Sequence, residues 1–200
     1  AEHGIFIDHL NNVWVGGGGT GASNADSAVF KFAIDGTLLQ TLGSKGVLPY
    51  DSNSRDTFGA PADIWVEEED EEIWVADGYG NRRVIVLDYD TGRYKRHWGA
   101  YGNDPVDAPT TYDPSAPPPD QFRPPVHCVL ISNDEFVYIC DRGNDRIQVF
   151  RKNGEFVFER FIAKNTTSAG SVWDIEFSND AEQKWVFLVD GINHRVRILR

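Results

Sequence analysis

Residues 62–77 read Ala62-Asp63-Ile64-Trp65-Val66-Glu67-Glu68-Glu69-Asp70-Glu71-Glu72-Ile73-Trp74-Val75-Ala76-Asp77. Two short runs of β-branched and aromatic residues, Ala62 to Val66 and Ile73 to Asp77, flank an acidic stretch. Such runs suit a half-buried pleated surface. The acidic stretch has the composition of a Ca²⁺-attracting loop but lacks the ligand spacing and glycine of an EF-hand, and reads as a solvated hairpin tip. Downstream, Val84 to Tyr89 gives a third strand. Asp90-Thr91-Gly92 turns the chain into a fourth, Arg93 to Trp98.

This four-strand unit recurs along the chain. Its first strand appears as His3-Gly4-Ile5-Phe6-Ile7-Asp8, Ala62 to Val66, His127-Cys128-Val129-Leu130-Ile131 and Trp173-Asp174-Ile175-Glu176-Phe177. The second appears as Val13-Trp14-Val15, Ile73 to Asp77, Val137 to Asp141 and Val186 to Asp190. Third strands follow at Val29 to Ile34, Val84 to Tyr89, Ile147 to Arg151 and Val196 to Leu199. Fourth strands follow at Thr37 to Leu42 after Asp35-Gly36, at Arg93 to Trp98, and at Glu155 to Phe161 after Asn153-Gly154. Asp-Gly and Asn-Gly between strands are strong hairpin signals. Turns at His9 to Asn12, Ser132 to Glu135 and Ser178 to Gln183 carry the residues that bond their own backbone. Four strands per unit at such a period is the pattern of propeller blades. No helical periodicity of useful length lies between the strands, which excludes an α/β barrel or doubly wound sheet. A β-sandwich would leave the self-similarity unexplained.

The expected fold is therefore all-β: a propeller of four antiparallel blades at about 1–43, 57–99, 122–162 and 170–200, the last without its outer strand. Three long connections interrupt the repeat, Gly16 to Ser27, Ser44 to Thr57 and the Pro-rich Ala100 to Gln121. Gly16 to Gly19 is no phosphate loop, since neither Lys-Ser/Thr nor a helix follows.

Composition bounds the function. With 19 basic and 31 acidic residues the formal charge is −12, which disfavours wide contact with nucleic acid or anionic lipid. No stretch approaches the roughly 20 apolar residues of a membrane-spanning helix. The sequence opens at Ala1 without a signal-like run, so it reads as a processed or trimmed product. Cys128 and Cys140 pair if their strands are hairpin neighbours, and are equally readable as buried free thiols.

Three units share a further signature: Asp77-Gly78-Tyr79-Gly80-Asn81-Arg82-Arg83-Val84, Asp141-Arg142-Gly143-Asn144-Asp145-Arg146-Ile147 and Asp190-Gly191-Ile192-Asn193-His194-Arg195-Val196. This resembles the NHL repeat. The Asp, Asn and Arg read first as structural, closing a tight turn and pairing the guanidinium with a carboxylate. NHL-type rings usually have six blades. The resemblance thus implies a fragment of a six-bladed ring, or a chain that completes a ring by self-association.

Within that family the chain is most similar to the peptidyl-α-hydroxyglycine α-amidating lyases, which hold zinc with one histidine from each of three blades. The same slot, at the start of the innermost strand, here holds His3, Ala62, His127 and Trp173. The family's reactive tyrosine motif matches Asp77-Gly78-Tyr79-Gly80-Asn81, and its Asp-Arg-x-Asn motif matches Asp141-Arg142-Gly143-Asn144. The resemblance implies His3 and His127 as zinc ligands and Tyr79 as a base. It implies Arg142 as the group that steadies a carboxylate or oxyanion. It also implies carbon–nitrogen lyase chemistry, a peptide-like substrate, calcium as a further family cofactor, and a secreted or extracytoplasmic setting. There are departures. No third histidine occupies the slot, a second family arginine has no counterpart, and Gly80 stands where the family has a disulfide cysteine. The chain alone is expected to bind zinc weakly and to be inactive or incomplete as a lyase. The alternative is a scaffold that binds a peptide or protein. His9, His97 and His194 read as surface residues.

Overall fold

The computed structural model describes residues 2–17, 26–46 and 48–200. Among these residues fifteen strands form four antiparallel sheets, each a simple meander. The first sheet is β1 (Glu2–Ile7), β2 (Val13–Gly17), β3 (Asp26–Phe32) and β4 (Leu38–Lys45). The second is β5 (Asp63–Glu67), β6 (Glu72–Asp77), β7 (Arg83–Asp88) and β8 (Tyr94–Trp98). The third is β9 (Val126–Ile131), β10 (Phe136–Asp141), β11 (Arg146–Arg151) and β12 (Phe156–Phe161). The fourth has three strands, β13 (Asp174–Phe177), β14 (Val186–Asp190) and β15 (Arg195–Leu199). These are propeller blades, with the last lacking an outer strand.

The blades form because both faces of the inner sheets are apolar. In the second sheet Ile64, Val66, Ile73, Val75, Ile85 and Leu87 pack against Trp14, Val29 and Leu42 of the first. The alternate residues Trp74, Ala76, Val84, Val86 and Trp98 pack against Val129, Val137, Ile139 and Phe150 of the third. Cys128, Leu130, Ile147 and Val149 then meet Ile175, Phe177 and Leu188 of the fourth. Period-two alternation thus fills three successive inter-blade cores. The first strands touch blade to blade (β1 to β5, β5 to β9, β9 to β13), so they lie innermost.

The end blades differ. On the free face of the first sheet Ile5 is 70% and Ile7 58% exposed, and on that of the fourth Val196 is 67% and Ile198 63% exposed. These residues alternate with half-buried ones along β1 and β15, but nothing within the described residues covers them.

Some boundaries and pairings depart from the sequence reading. β3 starts at Asp26 and ends at Phe32, because its first residues pair with an extended β4 and Ala33 closes a turn with Gly36. Positions 18–25 of the first long connection lie outside the described residues, while Gly16 and Gly17 belong to β2. The acidic stretch is only partly solvated. Glu72 is buried and held by Arg96 at 2.6 Å and by Lys95 at 2.6 Å, while Lys152 reaches Asp70 at 2.9 Å. Cys128 and Cys140 are bonded across β9 and β10.

The repeat signature is a buried polar hub. Asp77 accepts from Arg83 at 2.9 Å and Asn81 at 2.7 Å; Asp141 accepts from Arg146 at 2.7 Å and Asn144 at 2.8 Å. In the fourth sheet Asp190 accepts from Asn193 at 2.8 Å, but the arginine it pairs with is Arg197, at 2.8 Å, and Arg195 is exposed. Arg197 lies two residues along β15 from the direct partner of Asp190, so it shares that face.

A candidate axial site

His3 stands on β1 and His127 on β9, each near the start of an innermost strand. Both positions are β-bulges. The β1–β2 register slips between His3 and Ile5, and the β9–β10 register slips beside His127 and Cys128. The strands whose slot holds Ala62 or Trp173 pair without a slip. A bulge re-aims a side chain at the end of a strand. In β1 it depends on Gly4, whose φ is +65° and where a Cβ would come within 2.7 Å of the Ala62 carbonyl oxygen.

Each histidine is then oriented by the blade that follows. His3 Nδ1 lies 2.6 Å from the carbonyl oxygen of Ala62, and His127 Nδ1 lies against that of Trp173. Ala62 and Trp173 are the residues of the same slot in the next blade. One blade thus supplies the ring and the next supplies the backbone carbonyl that fixes it. A carbonyl accepts only, so Nδ1 carries a proton, and in a neutral ring Nε2 is left as a lone pair.

Both Nε2 atoms point at one phenol. Tyr79, in the turn after β6, places its hydroxyl 3.0 Å from His3 Nε2 and 3.1 Å from His127 Nε2. The two imidazole centroids are 5.0 Å apart. Two imidazole nitrogens from two blades thus face one phenolic proton from a third. With neutral rings, one of the two contacts has no hydrogen to form it. The cluster has a surplus of lone pairs facing one point, the electrostatic complement of a cation.

Arg142 completes the group. It opens the short 3₁₀ turn after β10, and its guanidinium carbon lies 6.0 Å from the Tyr79 ring centroid and 4.6 Å from that of Trp173. Burial pushes the His127 imidazole down to about 3, helped by the nearby positive charge of Arg142 and by His3. His127 is therefore neutral at physiological pH, the form in which imidazole ligates a metal. All four side chains are half-buried rather than sealed.

The structure thus brings together His3, Tyr79, His127 and Arg142. It keeps His9, His97 and His194 away from them: His9 stacks on Tyr89, His194 is exposed, and His97 is half-buried beside Tyr94 rather than a plain surface residue. Burial also lowers the pKa of His97. Sequence reasoning missed Asp63, one residue beyond the slot. Burial raises its carboxyl to about 7, and Asp174 and Glu176 of β13 add to that. Its only signal is an acid at the position after the slot in both blades that lack a histidine. Among the described residues no group of three His, Cys, Asp or Glu side chains is placed to hold a metal ion.

No family model matches the chain. Among curated proteins it is 32% identical over 157 residues to peptidyl-glycine alpha-amidating monooxygenase B of Xenopus laevis, covering 78% of this chain and 16% of that protein. It is 31% identical to the peptidylglycine alpha-amidating monooxygenase of Rattus norvegicus, covering 78% of this chain and 14% of that one. It is 32% identical over 161 residues to NHL repeat-containing protein 3 of Homo sapiens, covering 78% and 41% respectively. The chain is an NHL-repeat propeller.

Solved structures agree on the fold. A streptogramin B lyase matches the NHL propeller with a TM-score of 0.57 at 14% identity, over 98% of this chain and 53% of that one. A catalytically inactive virginiamycin B lyase from Staphylococcus aureus with quinupristin matches with a TM-score of 0.53 at 13% identity, over 100% and 55%. At such identities the likeness concerns the fold alone. The propeller spans about half the length of these structures, and less than half of the curated relatives it matches.

Proposed function

We propose that this propeller carries the axial site of a zinc-dependent lyase acting on peptides that end in α-hydroxyglycine. The observation that supports this reading is the convergence of His3 Nε2, His127 Nε2 and the Tyr79 hydroxyl on one point from three blades. The donor set fits a zinc ion in chemistry, neutral imidazole being an ordinary ligand, but supplies two histidines where a catalytic site has three protein ligands. When bound, zinc would supply Lewis-acid polarisation of an oxygen of the substrate.

The residues of the chain supply the rest. His3 and His127 would hold the metal, their rings fixed by the carbonyls of Ala62 and Trp173. Tyr79 Oη, 3.0 and 3.1 Å from the two Nε2 atoms that would hold the metal, stands beside that position, where as phenolate it could take the proton of a substrate hydroxyl. The guanidinium of Arg142 would hold the carboxylate of the terminal glycine unit, which leaves as glyoxylate. With its third ligand missing from the described residues, the chain by itself is expected to bind zinc weakly and to turn over little. The disulfide Cys128–Cys140 supports a setting in an oxidising compartment, secreted or extracytoplasmic.

The test is a zinc titration with a glyoxylate assay on an N-acyl-α-hydroxyglycine. Zinc binding lost together in His3→Ala and His127→Ala, with any glyoxylate release lost also in Tyr79→Phe, supports the reading. Zinc binding unchanged in both histidine variants refutes it.

A second reading is a scaffold for a peptide or protein partner. The absence of a three-ligand group among the described residues favours it. It is separated from the first by peptide binding that is indifferent to zinc and to His127→Ala.

A further inference from the structure

Trp173 occupies the histidine slot of the fourth blade, yet its ring does not point idly at solvent. It lies between the backbone of the next turn and the guanidinium of Arg142. On one side, a Cβ on Gly191 would come within 2.5 Å of the indole, so only glycine lets the ring lie flat there. On the other side the guanidinium carbon of Arg142 is 4.6 Å from the ring centroid, the spacing of a cation–π stack. The indole N–H donates to the Gly170 carbonyl at 2.8 Å, which fixes the ring's rotation. Arg142 Nε donates to the neighbouring Ala169 carbonyl at 2.9 Å. Residues 169–173 thus form one cradle that grips Arg142 by its face and by its Nε edge. The backbone carbonyl of Trp173 accepts from His127 Nδ1. A planar guanidinium held by face and Nε is left with its two terminal nitrogens to meet a carboxylate in parallel.

We infer that Trp173 is a positioning residue that sets the direction of the Arg142 guanidinium, and that its aromatic face thereby confers preference for ligands ending in a carboxylate over the same ligands ending in an amide. The ligand half rests on the role given to Arg142 above; the positioning half rests on the contacts alone.

The experiment uses the full chain and the variants Trp173→Phe and Trp173→Leu. Phe keeps an aromatic face; Leu keeps apolar bulk without one. The probes are N-benzoylglycine and N-benzoylglycinamide, titrated by NMR, and the second readout is hydrogen exchange at Arg142 Nε–H. The wild type is expected to prefer the acid and to show a slowly exchanging Nε–H. Trp173→Phe should retain both, while Trp173→Leu loses about 10-fold in preference for the acid and exchanges Nε–H freely. A folded Trp173→Leu with wild-type acid preference and a protected Nε–H overturns the inference. A wild type that binds acid and amide alike overturns the ligand half and, with it, the role proposed for Arg142; the exchange readout still decides whether Trp173 positions the guanidinium.

Discussion

Asp8 shows how much one residue can hold. Its carboxylate accepts from Trp14 Nε1 at 2.8 Å, Tyr89 hydroxyl at 2.8 Å and the Asn12 backbone N–H at 2.8 Å, so it ties the first blade's hairpin to the second blade. Burial opposes its charge, but these hydrogen bonds outweigh burial and lower the carboxyl to about 2. A carboxyl whose folded pKa is depressed stabilises the protein above its unfolded value near 4, and that contribution is lost as pH falls toward 2. Asp8→Asn should therefore cost on the order of 1–3 kcal/mol at neutral pH and much less near pH 2, measured by urea unfolding across that range. The deficit should shrink on acidification. One that stays constant would mean the charge of Asp8 is not what the hydrogen bonds recognise. In the sequence Asp8 reads only as the last residue of the first strand, before the turn at His9 to Asn12. The acceptor role depends on Tyr89, far along the chain, and no local pattern announces it.

At the scale of the element, the strands were legible because the inner blades are apolar on both faces and the outer hairpins turn on Asp35-Gly36, Asp90-Thr91-Gly92 and Asn153-Gly154. The motif positions of His3, Tyr79, His127 and Arg142 were legible too, as equivalent points in a repeat. What makes them a site was not. The bulges at His3 and His127 are differences in hydrogen-bond register between strands, and neither composition nor spacing reports them. The pairing of Cys128 with Cys140 was undecided for a similar reason, since it depends on how β9 meets β10. Its removal by Cys128→Ser should cost about 2–4 kcal/mol in thermal or denaturant unfolding, as for the closure of a short loop. The fourth sheet offers a sharper contrast. Arg195 fits the repeat signature, but Arg197 makes the bond to Asp190. Arg197→Ala should destabilise by roughly 1–3 kcal/mol, because the buried carboxylate loses its charged partner and keeps only the Asn193 amide, whereas exposed Arg195→Ala should change stability by about 0.5 kcal/mol or less. Equal effects in urea unfolding would mean the two side chains exchange places in solution.

For the whole molecule, the two free end faces decide the behaviour. Ile5 and Ile7 at one end, Val196 and Ile198 at the other, repeat the alternation that packs the inner blades, without a covering sheet among the described residues. Unpaired edges and apolar faces promote association. The isolated chain is expected to self-associate with rising concentration in light scattering. Val196→Glu with Ile198→Glu should lower that association while changing the unfolding midpoint little. A wild-type chain that stays monomeric over a wide concentration range would mean the end faces are satisfied in a way the fold does not show. The net charge of −12 acts against collapse of like on like, so the effect should strengthen with added salt.

The most direct measurement is a zinc titration of the histidine-labelled protein, following each imidazole Nε2 by ¹⁵N NMR. If His3 and His127 share one point, their Nε2 signals should shift together at a single stoichiometry, with Nδ1 of both remaining protonated, while His9 and His194 stay still. If zinc moves only the surface histidines, or moves His3 and His127 independently at different concentrations, then the axial cluster is a hydrogen-bonded knot between blades and not a metal site.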